Sequence, residues 1–183
     1  MKKKLMIVLL GMSALFLTSC GQKNVETTTE TTQGVNNTIV YTLEYDHQQY
    51  QFNMLDGWRK FPNSDHSIAF LVGNKDQASF MSAGFEEKEK LSLSSYKDKY
   101  MERLKENDVT VTNDPELKKL NGMDAYYLGM DMLDEKDRVL TYRVYLIEGE
   151  DYFINLGAWT SEQNPSKEII QGLDDILGTF KKK

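Results

Sequence analysis

The sequence predicts an α+β domain: an antiparallel β-sheet covered by helices on both faces, an α/β/α sandwich. Three observations predict it. Strand-length apolar segments succeed one another across short polar turns between residues 121 and 159, and short turns between successive strands mean antiparallel pairing. Two stretches, 93–107 and 165–178, carry apolar residues at helical spacing. In segments 142–147 and 152–156 both alternating positions carry large apolar groups, so the sheet calls for cover on both sides.

Segments 39–45 and 50–54, parted by the polar run Asp46, His47, Gln48 and Gln49, read as a hairpin. Segments 67–72 and 78–85 are two more strands, joined through Gly73, Asn74, Lys75 and Asp76. The first helix places Leu93, Tyr96, Tyr100 and Leu104 on one face. Ser92 stands at its N-cap, and Leu91 and Tyr96 hold the positions of a hydrophobic staple. Its other face, with Lys97, Asp98, Glu102, Lys105 and Glu106, is a solvated surface. A short strand at 109–111 and a weaker stretch to Leu120 lead to Asn121-Gly122, the dipeptide most favoured in tight hairpin turns. Strands at 124–133, 139–148 and 152–159 follow. In the last helix Asn164 is the expected cap and Pro165 the first helical residue, with Ile169, Ile170, Leu173, Ile176, Leu177 and Phe180 as the apolar stripe. Gly178 ends it, before a basic tail of Lys181, Lys182 and Lys183.

The N-terminus has a different character. Lys2, Lys3 and Lys4 head an apolar run, 5–16, and Leu17-Thr18-Ser19 precede Cys20, the single cysteine of the chain. This pattern resembles a bacterial lipoprotein signal with its lipobox. The resemblance implies cleavage before Cys20 and a diacylglyceryl thioether on its sulfur, whose two chains give stable membrane anchoring. The alternative, an ordinary secretory signal, leaves an odd thiol outside the cell. Acylated, Cys20 is neither a disulfide partner, a nucleophile nor a metal ligand, and stability rests on an ordinary core. The expected organisation is a signal at 1–19, lipidated Cys20 with a flexible Thr-rich tether to residue 37, and one globular domain from 38 to 183. Residues 21–37 have only Val25 and Val35 as aliphatic side chains, too few to offset ordering entropy. Extended, such a tether reaches about 60 Å, with a typical excursion nearer 20–25 Å, on the order expected of a flexible coil. Specific binding or glycan attachment by the tract is the other reading.

The whole chain carries 22 basic and 28 acidic residues, a net charge of −6, and loss of the three signal lysines takes it to −9. An acidic globule gains nothing from counterion release on nucleic acid, so no nucleic-acid partner is expected. The expected partners are the membrane, through the lipid on Cys20, and a protein or envelope component that the sequence leaves unidentified.

Residues 50–58, an aromatic-rich strand running into Asp56-Gly57-Trp58, resemble the opening of Mog1/PsbP-like domains. The stretch from Asn121-Gly122 to Ala125-Tyr126-Tyr127 resembles that group's strand start, and segments 152–156 and 176–180 its penultimate strand and its final helix with a terminal Phe. Leu55 stands where the group commonly has proline. The resemblance implies an α/β/α sandwich used as a binding or assembly module; it carries no active site across.

Residues that could carry chemistry are few. His47 and His66 each follow an aspartate, Asp46 or Asp65, with no further His or Cys to complete a zinc site. Asp131, Asp134, Glu135 and Asp137 lack the spacing of a calcium loop, and solvated turns account for them and for Glu148, Glu150 and Asp151. Ser92, Ser94 and Ser95 lack a hydrolase elbow. No metal or cofactor is implied. The aromatics Trp58, Tyr126, Tyr127, Tyr142, Tyr145 and Trp159 are candidates for a ligand or partner surface, with sheet packing as the alternative. The function expected is a lipid-anchored, extracytoplasmic binding or accessory module rather than an enzyme. The alternatives are an envelope hydrolase using carboxylates that the fold assembles, and a structural or stress-related surface protein.

Overall fold

The computed structural model describes residues 26–30, 39–63, 65 and 67–183. Cys20, the signal, most of the tether and His66 lie outside the described residues. The strands are β1 (Glu26–Glu30), β2 (Ile39–Tyr45), β3 (Gln48–Met54), β4 (Trp58–Lys60), β5 (Phe70–Asn74), β6 (Ser79–Glu87), β7 (Thr110–Leu120), β8 (Met123–Leu133), β9 (Val139–Glu148), β10 (Tyr152–Thr160) and β11 (Lys181–Lys182). The helices are α1 (Leu93–Glu106) and α2 (Lys167–Gly178). Among the described residues every strand pairing is antiparallel. A seven-stranded sheet has the order β4-β5-β6-β10-β9-β8-β7, and a four-stranded sheet the order β1-β2-β3-β11.

The second sheet is the main departure from the sequence expectation. The β2–β3 hairpin forms as predicted but heads its own sheet. Its turn is tighter than the polar run suggests: Tyr45 faces Gln48, and Asp46 and His47 take φ of 50° and 64°, the mirror-image geometry that suits the strand twist. Within the Thr-rich tract, where composition predicts no structure, β1 pairs with β2 from Glu26↔Glu44 to Glu30↔Val40. Threonine favours extended backbone, and the free edge of β2 offers backbone partners. The basic tail is likewise not a helix end but strand β11, paired through Lys181↔Gln51 and Lys182↔Tyr50.

Local signals account for the other elements. Ser92 Oγ accepts from the Ser95 amide and caps α1 as predicted. Ser166, not Asn164, caps α2, accepting from the Ile169 amide; Asn164 takes φ 55° in the preceding turn instead. Asn121 and Gly122, with φ of 48° and 90°, make the predicted turn between β7 and β8. The Asn121 amide also donates to the carbonyls of Gly178 and Phe180, at 2.8 and 2.7 Å, satisfying backbone acceptors at the end of α2. Strand β4 is too short, and too closely flanked by Gly57 and Pro62, to show in the sequence.

The core divides into two clusters. One joins Tyr41, Leu43, Tyr50 and Phe52 of the small sheet, Phe70, Val72, Met81, Ala125, Ile147, Ile154 and Leu156 of the large one, and Leu173, Ile176 and Leu177 of α2. Phe180, fully buried here, stacks on Tyr50 with centroids 5.5 Å apart; burying such a ring is worth roughly 1.5–3 kcal/mol. The other cluster joins Leu93, Tyr96, Tyr100 and Leu104 of α1 to Leu128, Met130, Tyr142, Val144, Leu146 and Phe153. Successive residues of β8 and β9 therefore go alternately to the two clusters, as the two-residue period of a strand requires.

Candidate functional site

The six aromatic candidates do not converge. Trp58, 8% exposed, belongs to the cluster under α2, and Tyr142, 6% exposed, to the cluster under α1. Tyr142 stacks on Trp159 at 5.5 Å and Trp159 on Phe80 at 5.6 Å, a ladder across three neighbouring strands that Phe61 extends edge-on at 5.6 Å. Tyr126 packs against the α1 cluster, with Lys97 Nζ 5.5 Å from its ring centroid. Tyr127, one residue on, meets Tyr145 on the other side of the strands, with centroids 4.9 Å apart.

The strongest polar constellation was not visible in the sequence. Glu86 of β6 accepts through Oε1 from the Tyr96 hydroxyl at 2.8 Å and from the Asn155 amide, and through Oε2 from Arg103 Nη1 at 3.3 Å. The Asn155 amide also donates to the Tyr96 hydroxyl at 2.7 Å. Burial, with Glu86 beside it, holds the Tyr96 phenol well above its ordinary range, so it stays a donor. Both oxygens of the carboxylate are engaged, and the network ties α1 to β6 and β10. Its role in this arrangement is to position a helix.

Three of the turn carboxylates, Asp134, Glu148 and Glu150, have partners. Asp134 accepts from the backbone amides of Lys136 and Arg138 and pairs with the Arg138 guanidinium at 2.6 Å. These hydrogen bonds, that of the Arg138 amide foremost, hold its carboxyl below the usual range. Glu148 pairs with Lys88 at 2.8 Å, and Glu150 accepts from Gln48 at 3.0 Å. His47 is an exposed turn residue.

What remains is a strip of β7, β8 and β9 on the side that carries Ala125 and Ile147. Opposed pairs along it are Tyr127↔Tyr145, Gly129↔Arg143, Asp131↔Thr141 and Leu133↔Val139. Helix α2 lies against β10, β6 and β3 and reaches the strip's edge, where the Tyr127 hydroxyl donates to Asp174 Oδ1 at 2.6 Å. Burial and this bond raise the Tyr127 phenol above its ordinary 10.0. Lys118 Nζ lies 4.6 Å from the Tyr127 centroid and pairs with Glu116 at 2.9 Å. At the far end Leu133 and Val139 are 57% and 37% exposed. Half-buried tyrosines, an arginine and flanking charges make a surface of the composition that interfaces favour. Of the residues singled out in the sequence it holds Tyr127, Tyr145 and Asp131; Arg143 has no sequence signature.

No family model matches the sequence, and no curated protein matches it. Solved structures similar to it include the following three. The solution structure of cyanobacterial PsbP, CyanoP, from Synechocystis sp. PCC 6803 is 13% identical, with a TM-score of 0.53, and the match covers 91% of this chain and 99% of that one. LpqN of Mycobacterium tuberculosis, a protein involved in cell envelope biogenesis, is 12% identical with a TM-score of 0.53, covering 87% and 92%. A crystallised protein of Bacteroides thetaiotaomicron VPI-5482 is 17% identical with a TM-score of 0.47; the match takes in 73% of this chain but only 45% of the other's length. At these identities the first two likenesses define the fold, a PsbP-like α+β domain. Among the described residues no helix is long and apolar enough to cross a membrane.

Proposed function

We propose that this chain is a non-catalytic binding or accessory module, held at the extracytoplasmic face of the cell membrane by a diacylglyceryl group on Cys20 and serving the cell envelope. In this reading the two core clusters are the two covered sides of an α/β/α sandwich, with α1 on one and α2 with the small sheet on the other. The observation that carries the functional reading is the strip from Tyr127 and Tyr145 to Leu133 and Val139, a run of aromatic, charged and exposed apolar groups on a rigid sheet. LpqN, of the same fold, is involved in cell envelope biogenesis, which agrees with an envelope role. The net charge of −9 expected after signal removal disfavours direct adhesion of the domain to an anionic bilayer, so the lipid does the anchoring and the strip stays free for a partner.

Two experiments test the two halves. Cells fed an alkynyl fatty acid should label the wild-type protein in the membrane fraction, and Cys20→Ala should lose the label and leave that fraction; membrane retention of an unlabelled Cys20→Ala protein would overturn the anchor. A photo-reactive residue in place of Tyr145 should cross-link to one envelope component, while the same residue in place of Leu117, 63% exposed on β7, should not. Equal cross-linking from both positions would remove the strip from the account.

A further inference from the structure

The two sheets treat their edges differently. At the outer edge of the large sheet, β7 carries Pro115, Lys118 and Lys119, and its register shifts between Val111 and Asn113 and again between Asn113 and Glu116. Proline, lysine and bulges are the devices that keep a further strand from adding to an edge. Strand β2, Ile-Val-Tyr-Thr-Leu-Glu-Tyr, has none of them. Its register with β3 is unbroken from Ile39↔Met54 to Tyr45↔Gln48, which leaves a regular edge on its other side. What covers that edge is β1, in register from Glu26↔Glu44 to Glu30↔Val40.

This pairing sets the length of chain between Cys20 and the folded domain. Residues 21–25 alone separate Cys20 from β1, a reach of about 20 Å when extended. Counted to β2 instead, the reach is about 60 Å. The pairing also decides which end of the domain lies nearest Cys20. Strand β1 starts opposite Glu44, beside the turn at Asp46 and His47, and that turn adjoins the one between β9 and β10. Gln48 donates to Glu150 at 3.0 Å, Lys182 pairs with Glu150 at 3.5 Å, and the hydroxyls of Tyr50 and Tyr152 are 2.7 Å apart. Exposed Leu133 and Val139 stand at the opposite end of β9, whose ten residues span about 30 Å.

We infer that β1 is a strap, which by pairing with β2 holds the domain end-on over the bilayer, the turns 46–47 and 149–151 toward the lipid and the Leu133–Val139 hairpin away from it. The inference rests on the lipid anchor at Cys20 proposed above and adds the height and orientation of what it holds. Charge is compatible with the placement: Asp46, Glu150 and Asp151 at the near end are accompanied by Lys88, Lys182 and Lys183, so this end lacks the one-sided negative charge that an anionic surface would repel most. The exposed apolar pair of the strip then faces outward, where it meets an envelope partner and not the lipid.

The test places the full-length, acylated protein in phospholipid nanodiscs that contain a gadolinium-chelate lipid and follows the paramagnetic broadening of its amide resonances. Broadening should be strong at Asp46, His47, Glu150 and Asp151, fall along β9, and be absent at Leu133 and Val139. Two insertions of about ten Gly and Ser residues, each adding up to about 35 Å of chain, separate a strap from a free tether without altering β1. Placed after Gln22, ahead of β1, the insertion should abolish most of the broadening; placed after Gly34, between β1 and β2, it should change nothing. Equal relief from the two insertions would overturn the strap, because the leash would then run to β2, and so would broadening that is uniform or strongest at Leu133 and Val139. A protein that does not stay with the nanodiscs would sink the anchor and the strap together, whereas one that stays and responds alike to both insertions keeps the anchor and loses only the strap.

Discussion

At the scale of single residues, the buried tyrosines predict an alkaline limit of stability. Burial holds the phenols of Tyr50, Tyr96, Tyr100, Tyr127, Tyr142, Tyr145 and Tyr152 above the ordinary 10.0. The folded chain therefore keeps these protons to higher pH than the unfolded chain. Their contribution to stability is whole below pH 10 and falls as pH rises beyond it. The larger part of the tyrosinate absorbance should then appear together with loss of the far-ultraviolet circular dichroism; full tyrosinate absorbance with native dichroism would contradict this. Tyr127→Phe removes the hydrogen bond to Asp174 and should lower stability by about 1.5–3 kcal/mol in urea denaturation, the range for a bond to a charged acceptor. Phe180→Ala, which empties a fully buried site, should cost about 3–5 kcal/mol. Trp58 and Tyr142, exposed by only 8% and 6%, should behave like Phe180, with loss of folding in place of selective loss of binding.

At the scale of elements, what the sequence made legible is what local chemistry decides. Helix α1 follows from the spacing of Leu93, Tyr96, Tyr100 and Leu104 and from Ser92, and Ser92→Ala should cost about 1 kcal/mol in the same denaturation. The turn at Asn121 and Gly122 was equally plain. Asn121→Ala should cost about 1–2 kcal/mol, because it removes a favoured left-handed residue and two hydrogen bonds to the end of α2; an unchanged unfolding midpoint would show those bonds to be of no consequence. Short elements paired over long distances were not legible. Strands β1 and β11 exist because β2 and β3 present free edges to them, and nothing in Glu26–Glu30 or Lys181–Lys182 announces that edge. The cap of α2 departs from the sequence expectation for a related reason: Asn164 and Ser166 are both good capping residues, and the entry of the chain from β10 selects Ser166. The network on Glu86 draws on partners 10, 17 and 69 residues away, a relation only the fold creates. The same holds for the strip: Tyr127 and Tyr145 stand out in the sequence as aromatics, but the strand period separates them from Tyr126 and Tyr142, and Arg143 joins them only through the register of β8 with β9.

At the scale of the whole molecule, a PsbP-like domain sits behind a segment that resembles a lipoprotein signal, and these two features lead the account to a membrane-held module that binds through its sheet. The domain is rigid where it matters: α1 is tied down by the Glu86 network and α2 by Tyr127 and Asn121, so the strip between β7 and β9 is presented on a fixed frame. The most direct measurement is a two-dimensional amide correlation spectrum of the full-length, isotope-labelled protein in detergent, recorded with and without solubilised envelope material. The account predicts changes concentrated at Tyr127, Gly129, Arg143, Tyr145 and Val139, with the resonances of α1 and of Tyr126 unmoved. Changes centred on α1, or a spectrum indifferent to envelope material of every fraction, would contradict it.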